Sequence, residues 1–124
     1  EAFRRYDEAL EIVDRGLEYV VNEDVKAHAQ VFAAFYTFRK ARFNESIALA
    51  KEGLSYEFLS KEDKSRAYHT IGLCYTYIHE DTGQLSDLDA GIKALNEAVI
   101  MDPSNAEAKR VLKALRIQRE RLYL

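Results

Sequence analysis

The sequence contains no tryptophan, one proline and five glycines among its 124 residues. Because so few of its residues interrupt regular structure, the composition favours long helices over a fold rich in β-turns. The single cysteine, Cys74, cannot form a disulfide within the chain, which indicates a reducing compartment, and its apolar neighbours indicate a buried thiol. We therefore expect a cytoplasmic, all-helical chain that is long enough to form one domain with its own hydrophobic core.

An excess of basic charge is also missing. The chain has 18 Lys and Arg against 21 Asp and Glu, whereas nucleic-acid-binding domains usually carry a basic excess. No apolar run approaches the roughly 20 residues that cross a membrane, and no signal peptide is visible. We expect neither a nucleic-acid partner nor membrane insertion. Because the chain begins at Glu1 without a methionine, we expect it to be part of a longer protein.

Motifs for catalysis or metal binding are missing as well. His69, Cys74 and His79 follow one another at steps of five residues, so on one helix each is rotated by roughly 140° from the last and they cannot converge on one ion. The sequence has no Cys-x-x-Cys, no His-Glu-x-x-His, no calcium-loop order around Gly83, no glycine-rich phosphate loop and no Gly-x-Ser-x-Gly. We expect a protein that is not an enzyme and that holds no metal and no cofactor.

What the chain does contain is a pattern that recurs three times. A large apolar residue, a small residue three positions later and an aliphatic residue directly after it occur at residues 6–10, 43–47 and 88–92, at offsets of 37 and 45 residues. A second small residue, which is Gly16, Gly53 or Ala98, follows seven positions after the first. Self-similarity at such periods indicates helical repeats, and we expect the small residues to let neighbouring helices approach closely.

The spacing of apolar residues predicts six helices, of which the first three lie at 2–21, 24–40 and 43–57. Within the second helix, Val31 to Phe38 is apolar nearly all round. This stretch therefore either lies between neighbouring helices or presents apolar side chains to a ligand. A continuous apolar run could also be a strand, but its length and the charged residues at both of its ends favour a helix.

Three possible capping boxes mark the starts of the other helices: Ser60-x-x-Asp63, Ser86-x-x-Asp89 and Ser104-x-x-Glu107. In a capping box the serine side chain accepts a hydrogen bond from an early backbone N–H, and the acidic residue reaches back. Helices are therefore expected to begin near residues 61, 87 and 105, the last running to residue 123. Asp102-Pro103 should end the fifth helix, since a residue before proline avoids the helical conformation.

The stretch from Arg66 to Asn105 contains a set of residues whose types and spacing match a known helical repeat: Tyr68, Ile71, Gly72, Tyr75, Leu88, Gly91, Ala98 and Pro103. In this it resembles a tetratricopeptide (TPR) repeat, although Gly91 replaces the usual alanine. The resemblance implies an all-α, right-handed stack of antiparallel helix pairs, about six helices in a single domain. Its parts would be a half repeat at 2–21, repeats at 24–57 and 61–103, and a capping helix at 105–123. The repeat at 24–57 matches less well because it lacks the proline.

One length does not fit the repeat. Gly72 and Gly91 are 19 residues apart, whereas Ala34 and Ser46 are 12 apart. The additional residues, 79–85, either extend the fourth helix or form a longer loop. These residues also suggest an alternative fold, a relative of the TPR with longer loops. The Asp-Pro sequence at the end of the fifth helix argues against that alternative.

The TPR resemblance further implies a concave groove, lined by the first helix of each pair, that takes an extended peptide or a partner's helix. The groove-facing residues would be His28, Val31, Phe32, Phe35, Arg39, Arg66, His69, Thr70, Leu73 and Tyr77. The phenylalanines could equally be plain core, and the two arginines could hold a carboxylate or be merely solvated. None of these residues is lysine or asparagine, so we expect no binding of the acidic tails of heat-shock chaperones, which other TPR domains hold with those residues.

The leading hypothesis is therefore a scaffold or adaptor domain with a protein or peptide partner. Two alternatives stay open, namely a homo-oligomerisation module that stacks through residues 2–21 and the peptide-sensing part of a larger regulator. The basic residues of the last helix suit the solvated face of a capping helix, or a basic patch for an acidic partner or nucleic acid.

Overall fold

The computed structural model of the protein describes residue 11 and residues 23–122. Within these residues the structure is all-α, as expected, and has no strand. Its five helices are α1 (Glu23–Arg39), α2 (Phe43–Leu54), α3 (Lys61–Thr82), α4 (Leu85–Met101) and α5 (Ala106–Arg121). Apart from residue 11, the expected helix at 2–21 lies outside the described residues, and so does the oligomerisation hypothesis that depends on it. No helix in the described part of the chain is long and apolar enough to span a membrane.

Helices α3 and α4 form a close antiparallel pair. The Ser65 hydroxyl, near the start of α3, donates to the Ala98 carbonyl near the end of α4, with 2.7 Å between the oxygens. Further along, Gly72 lies against Gly91, so residue numbers rise along α3 while they fall along the facing part of α4. A Cβ on Gly72 would lie 2.5 Å from Leu95 Cγ and 3.2 Å from the Gly91 carbonyl oxygen. The two glycines therefore allow the backbones to touch, as the spacing of small residues predicted.

Helices α1 and α2 form a second antiparallel pair. The Ser46 hydroxyl donates to the Ala34 carbonyl, with 2.6 Å between the oxygens. At the other end of the pair, a Cβ on Gly53 would lie 3.2 Å from Val31 Cγ2 and 3.5 Å from the Ala27 carbonyl oxygen. The turn between the two helices includes Ala41, which has a φ of 60°.

Helix α1 also packs against α3 and runs in the same direction. His28 contacts Asp63 near the start of both helices, and Phe38 contacts Tyr77 near their other ends. The first helices of the two pairs therefore lie side by side.

The buried apolar residues form two clusters. One joins α1, α2, α3 and α4 and contains Ala27, Val31, Ala34, Ala50, Leu59, Ala67, Ile71 and Ala94. The other joins α4 and α5 and contains Leu88, Leu95, Ala98, Ala108, Leu112 and Leu115. The pair α3–α4 connects the two ends of the described fold, because α3 packs against α1 and α2 while α4 packs against α5.

Only one of the three expected capping serines caps a helix. The Ser60 hydroxyl accepts a hydrogen bond from the Asp63 backbone N–H at the start of α3. The prediction for Ser86 is wrong, because α4 begins at Leu85 with Gln84 at the cap position. Helix α4 begins two residues earlier than expected, so that only Gly83 and Gln84 separate it from α3. The Thr82 hydroxyl accepts a hydrogen bond from the Gln84 N–H and donates to the Asp87 carboxylate, and these bonds hold the start of α4 in place of Ser86.

The prediction for Ser104 is also wrong. Its hydroxyl donates to the Asp102 carboxylate, at 2.6 Å, instead of capping α5. Asn105 takes that role, since its side-chain oxygen accepts from the Ala108 N–H while its amide nitrogen donates to the Ser65 hydroxyl. Asn105 therefore both caps α5 and ties it to α3.

The residues added at 79–85 mainly lengthen α3, which settles the choice between a longer helix and a longer loop. The helix runs to Thr82 and ends at Gly83, whose φ of 69° is the left-handed conformation that glycine adopts at low cost. The Gly83 N–H donates to the His79 carbonyl, and His79 Nδ1 lies 2.8 Å from the Gln84 carbonyl oxygen. Helix α2, by contrast, ends at Leu54, three residues before the expected end at 57.

Candidate functional site

A groove of about 310 Å³ lies between α1 and α3. Its lining residues come from both helices and are Val31, Phe32, Phe35, Arg66, His69 and Thr70. We call it the α1–α3 groove. All six residues belong to the set that sequence reasoning assigned to partner binding. They come together because α1 and α3 lie side by side in the same direction, so that residues one helical turn apart on each helix face a common space.

The groove has an apolar, aromatic wall on α1. Phe35 exposes 41% of its surface, although it is a large apolar residue, whereas Val31 is buried beside it. Phe32 is half-buried, and the His28 ring meets it edge-on with 4.6 Å between ring centroids. Within the apolar stretch from Val31 to Phe38, some side chains are therefore buried in the core and others line the groove.

The charged rim of the groove is organised by Asp63. Its carboxylate accepts a hydrogen bond from Arg66 Nη1 at 3.2 Å and lies 2.7 Å from His28 Nδ1. The Asp63 side chain is only 10% exposed, whereas those of His28 and Arg66 are 50% and 58% exposed. The Arg66 guanidinium also lies over the Phe32 ring, 5.8 Å from its centroid. A buried acid thus holds an exposed arginine at the edge of an aromatic surface.

His69 forms the opposite, α3 side of the groove. Burial lowers its pKa from the usual value of 6.5, against the attraction of Glu107, and Arg110 lowers the pKa further. Its Nε2 atom is buried and has no hydrogen-bond partner among the described residues. His69 is therefore neutral at neutral pH, and Arg66 is the charged residue among the six that line the groove.

The remaining four predicted site residues do not line the groove. His28 stands at its rim and contacts Asp63, while Arg39 is exposed at the end of α1. Leu73 is half-buried on α3. Tyr77 lies in a different cavity, where its ring stacks on that of Phe43.

Sequence reasoning missed the role of Asp63. The acid was assigned to a capping box, in which its carboxylate would serve its own helix. Its carboxylate instead contacts His28, 35 positions earlier in the chain, and accepts a hydrogen bond from Arg66. A clue was available, since Asp63 and Arg66 are one helical turn apart, the spacing at which opposite charges pair on a helix surface.

Among the residues that the structure describes, no group of three or more His, Cys, Asp or Glu side chains could hold a metal ion. Cys74 is fully buried, and burial raises its pKa to about 11, against a hydrogen bond with Ser46. The thiol is therefore protonated at neutral pH and poorly nucleophilic.

A comparison with protein-family models found no match for the chain, and a comparison with curated proteins found no significant match. Its function is therefore inferred from the groove itself.

Proposed function

We propose that the protein is an interaction scaffold or adaptor of the tetratricopeptide type, which binds a peptide or a helix of a partner protein in the α1–α3 groove. The observation that carries the proposal is the groove itself, an open space with an aromatic wall and one exposed guanidinium. The proposal assigns the protein no catalytic activity, no cofactor and no nucleic-acid partner, and it places the protein in the cytoplasm.

The arrangement of the helix pairs supports the tetratricopeptide assignment. Each pair is antiparallel, and small residues lie where its helices cross. A serine hydroxyl bonds a carbonyl across each pair, from Ser46 to Ala34 and from Ser65 to Ala98. The first helices of the two pairs run in the same direction and leave the groove between them. These are the relations expected of stacked repeats.

The residues of the groove suit a segment with one large apolar side chain. Burying such a side chain against Phe32 and Phe35 contributes about 1.5–3 kcal/mol to binding. Arg66 uses one of its N–H groups for Asp63, and a guanidinium has five donors. The others can donate to a carboxylate or a backbone carbonyl of the bound segment, which fixes its orientation. Helix-in-groove and extended-peptide binding both use this combination.

Phe35→Asp tests the proposal. A peptide selected from a displayed library on the wild-type protein is titrated against the wild type and the variant by fluorescence anisotropy. We expect Phe35→Asp to weaken binding at least about tenfold, because a charge replaces the apolar wall. Phe35 is already 41% exposed, so the variant should keep its fold, which circular dichroism checks.

Phe58→Asp is the matched control, since Phe58 is 71% exposed and does not line the groove. We expect it to change the affinity less than about twofold, as surface substitutions away from a site usually do. If the selected peptide binds a folded Phe35→Asp variant as tightly as the wild type, the groove is not the binding site.

A further inference from the structure

A second cavity, of about 870 Å³, lies where the lengthened end of α3 passes the turn between α1 and α2. Its walls come from that turn, from the start of α2 and from the last turns of α3, and we call it the α3-end cavity. It shares no lining residue with the α1–α3 groove. Two of its acidic residues, Glu80 and Asp81, belong to the stretch that lengthens α3.

Two aromatic rings line the α3-end cavity. The rings of Phe43 and Tyr77 are stacked, with 5.4 Å between centroids and 16° between planes, and Phe38 meets Tyr77 edge-on at 5.6 Å. Tyr77 nevertheless exposes 48% of its surface. The faces of such rings carry partial negative charge and attract cations.

Carboxylates line the α3-end cavity as well. Glu45, Glu80 and Asp81 line the cavity together with one cation, Arg42. Arg42 lies 3.9 Å from Glu45 and offsets its charge, which leaves the charges of Glu80 and Asp81 unbalanced within the cavity lining. Neither Glu80 nor Asp81 forms an ion pair with the residues that the structure describes. The C-terminal end of α3, which carries the partial negative charge of a helix C-terminus, adds to their field.

We propose that the α3-end cavity binds an arginine side chain of a partner protein. A guanidinium is planar, so it can stack on the Tyr77 ring while its N–H groups donate to the carboxylates of Glu80 and Asp81. The acidic excess around the cavity complements its charge. A neutral side chain of the same shape would keep the stacking surface but lose both electrostatic contributions.

The probe for this site is a short, capped peptide of alternating glycine and arginine, and its citrulline counterpart is the neutral control of the same shape. Binding is followed by nuclear magnetic resonance, through the ring signals of Tyr77 and Phe43. We expect these signals to move in a saturable way with the arginine peptide and to stay in place with the citrulline peptide.

Variants of the cavity test which groups hold the cation. The double variant E80Q/D81N should weaken binding of the arginine peptide about fivefold, because it removes two exposed opposite charges. Tyr77→Leu should weaken it about threefold through loss of the ring face. Both acids are exposed, so E80Q/D81N should fold as the wild type does. The double variant therefore still tests the site if Tyr77→Leu disturbs the aromatic cluster.

E52Q/E57Q is the matched control, since it removes two exposed charges at the opposite end of α2. We expect it to weaken binding less than about twofold, because exposed charges beyond the Debye length are largely screened. Equal weakening by both double variants would mean general attraction to an acidic protein and would overturn the proposal. Ring signals that ignore the arginine peptide, or that respond equally to citrulline, would overturn it too. Because the two cavities share no lining residue, neither result bears on the α1–α3 groove.

Discussion

The helix pairs α1–α2 and α3–α4 each contain a serine–carbonyl hydrogen bond, but different small residues lie where their helices cross. In α3–α4, Gly72 and Gly91 meet without side chains, and Leu95 covers the crossing. In α1–α2, Ala34 and Ser46 meet, and a hydroxyl bonds a carbonyl. Two pairs with one underlying sequence pattern therefore differ in what they tolerate. The α3–α4 crossing excludes an added side chain because the backbones touch there, whereas the α1–α2 crossing already holds the small side chains of Ala34 and Ser46.

The largest effect is expected at the α3–α4 crossing. Leu95 is fully buried, so it has no room to move when a Cβ on Gly72 arrives 2.5 Å from its Cγ. We expect Gly72→Ala to lower the free energy of unfolding by about 2 kcal/mol, since the clash outweighs the gain in helix propensity. Urea unfolding followed by circular dichroism measures the change.

Gly53→Ala makes the same substitution in the α1–α2 pair. There the new Cβ would meet Val31 Cγ2, the end of a side chain, at 3.2 Å. We expect its free energy of unfolding to stay within about 1 kcal/mol of the wild type. If Gly53→Ala costs as much as Gly72→Ala, the two pairs are equally intolerant and the comparison fails.

A smaller difference is expected between the two serines that bond across the pairs. The Ser65 hydroxyl donates to Ala98 and accepts from the Asn105 amide. Ser46 donates to Ala34, and its second partner is the thiol of Cys74, which forms weaker hydrogen bonds than an amide does. We expect Ser65→Ala to lower the free energy of unfolding by about 2 kcal/mol and Ser46→Ala by about 1 kcal/mol. The same urea titrations measure both, and a reversed order would show that the Asn105 contact contributes nothing.

The smallest effect concerns His69, which lies beside α5 on the α3–α4 side of the molecule. Its pKa in the folded protein is below the unfolded value of 6.5, so the unfolded chain binds more protons at mildly acidic pH. The free energy of unfolding should therefore fall as the pH drops below 6.5 and be insensitive to this group above it. Unfolding titrations between neutral pH and about pH 5, above the range where carboxylates titrate, measure the slope.

His69→Gln keeps a neutral polar side chain and removes the titration. We expect its stability to vary less with pH over that range than the stability of the wild type. An identical slope in the two proteins would mean that another group causes the decline.

The helices and the places where they cross could be predicted because both depend on spacing along the chain. The small residues at Ala34, Ser46, Gly72 and Gly91 follow a pattern that is visible in the sequence, and the structure places them at the crossings. The six lining residues of the α1–α3 groove are among the ten that the resemblance to a tetratricopeptide repeat implies, and helical periodicity puts them on facing sides of two neighbouring helices.

The partners of individual polar groups could not be predicted. Ser104 and Asn105 both suit an N-cap, and the choice depends on which neighbour is free: Asp102 takes the serine hydroxyl, while Ser65, 40 residues away, receives the asparagine amide. The same holds for the carboxylate of Asp63. Such choices depend on distances between helices, which periodicity along one helix does not contain.

The length of α3 sets a spacing for any segment that occupies both cavities at once. Arg66 and Tyr77 are eleven residues apart on this helix, a rise of about 16 Å. An extended segment covers that distance with about five residues, and a helical one needs about eleven. A partner that used both would therefore carry a large apolar residue and an arginine at one of these two separations, which makes candidate segments recognisable in sequence.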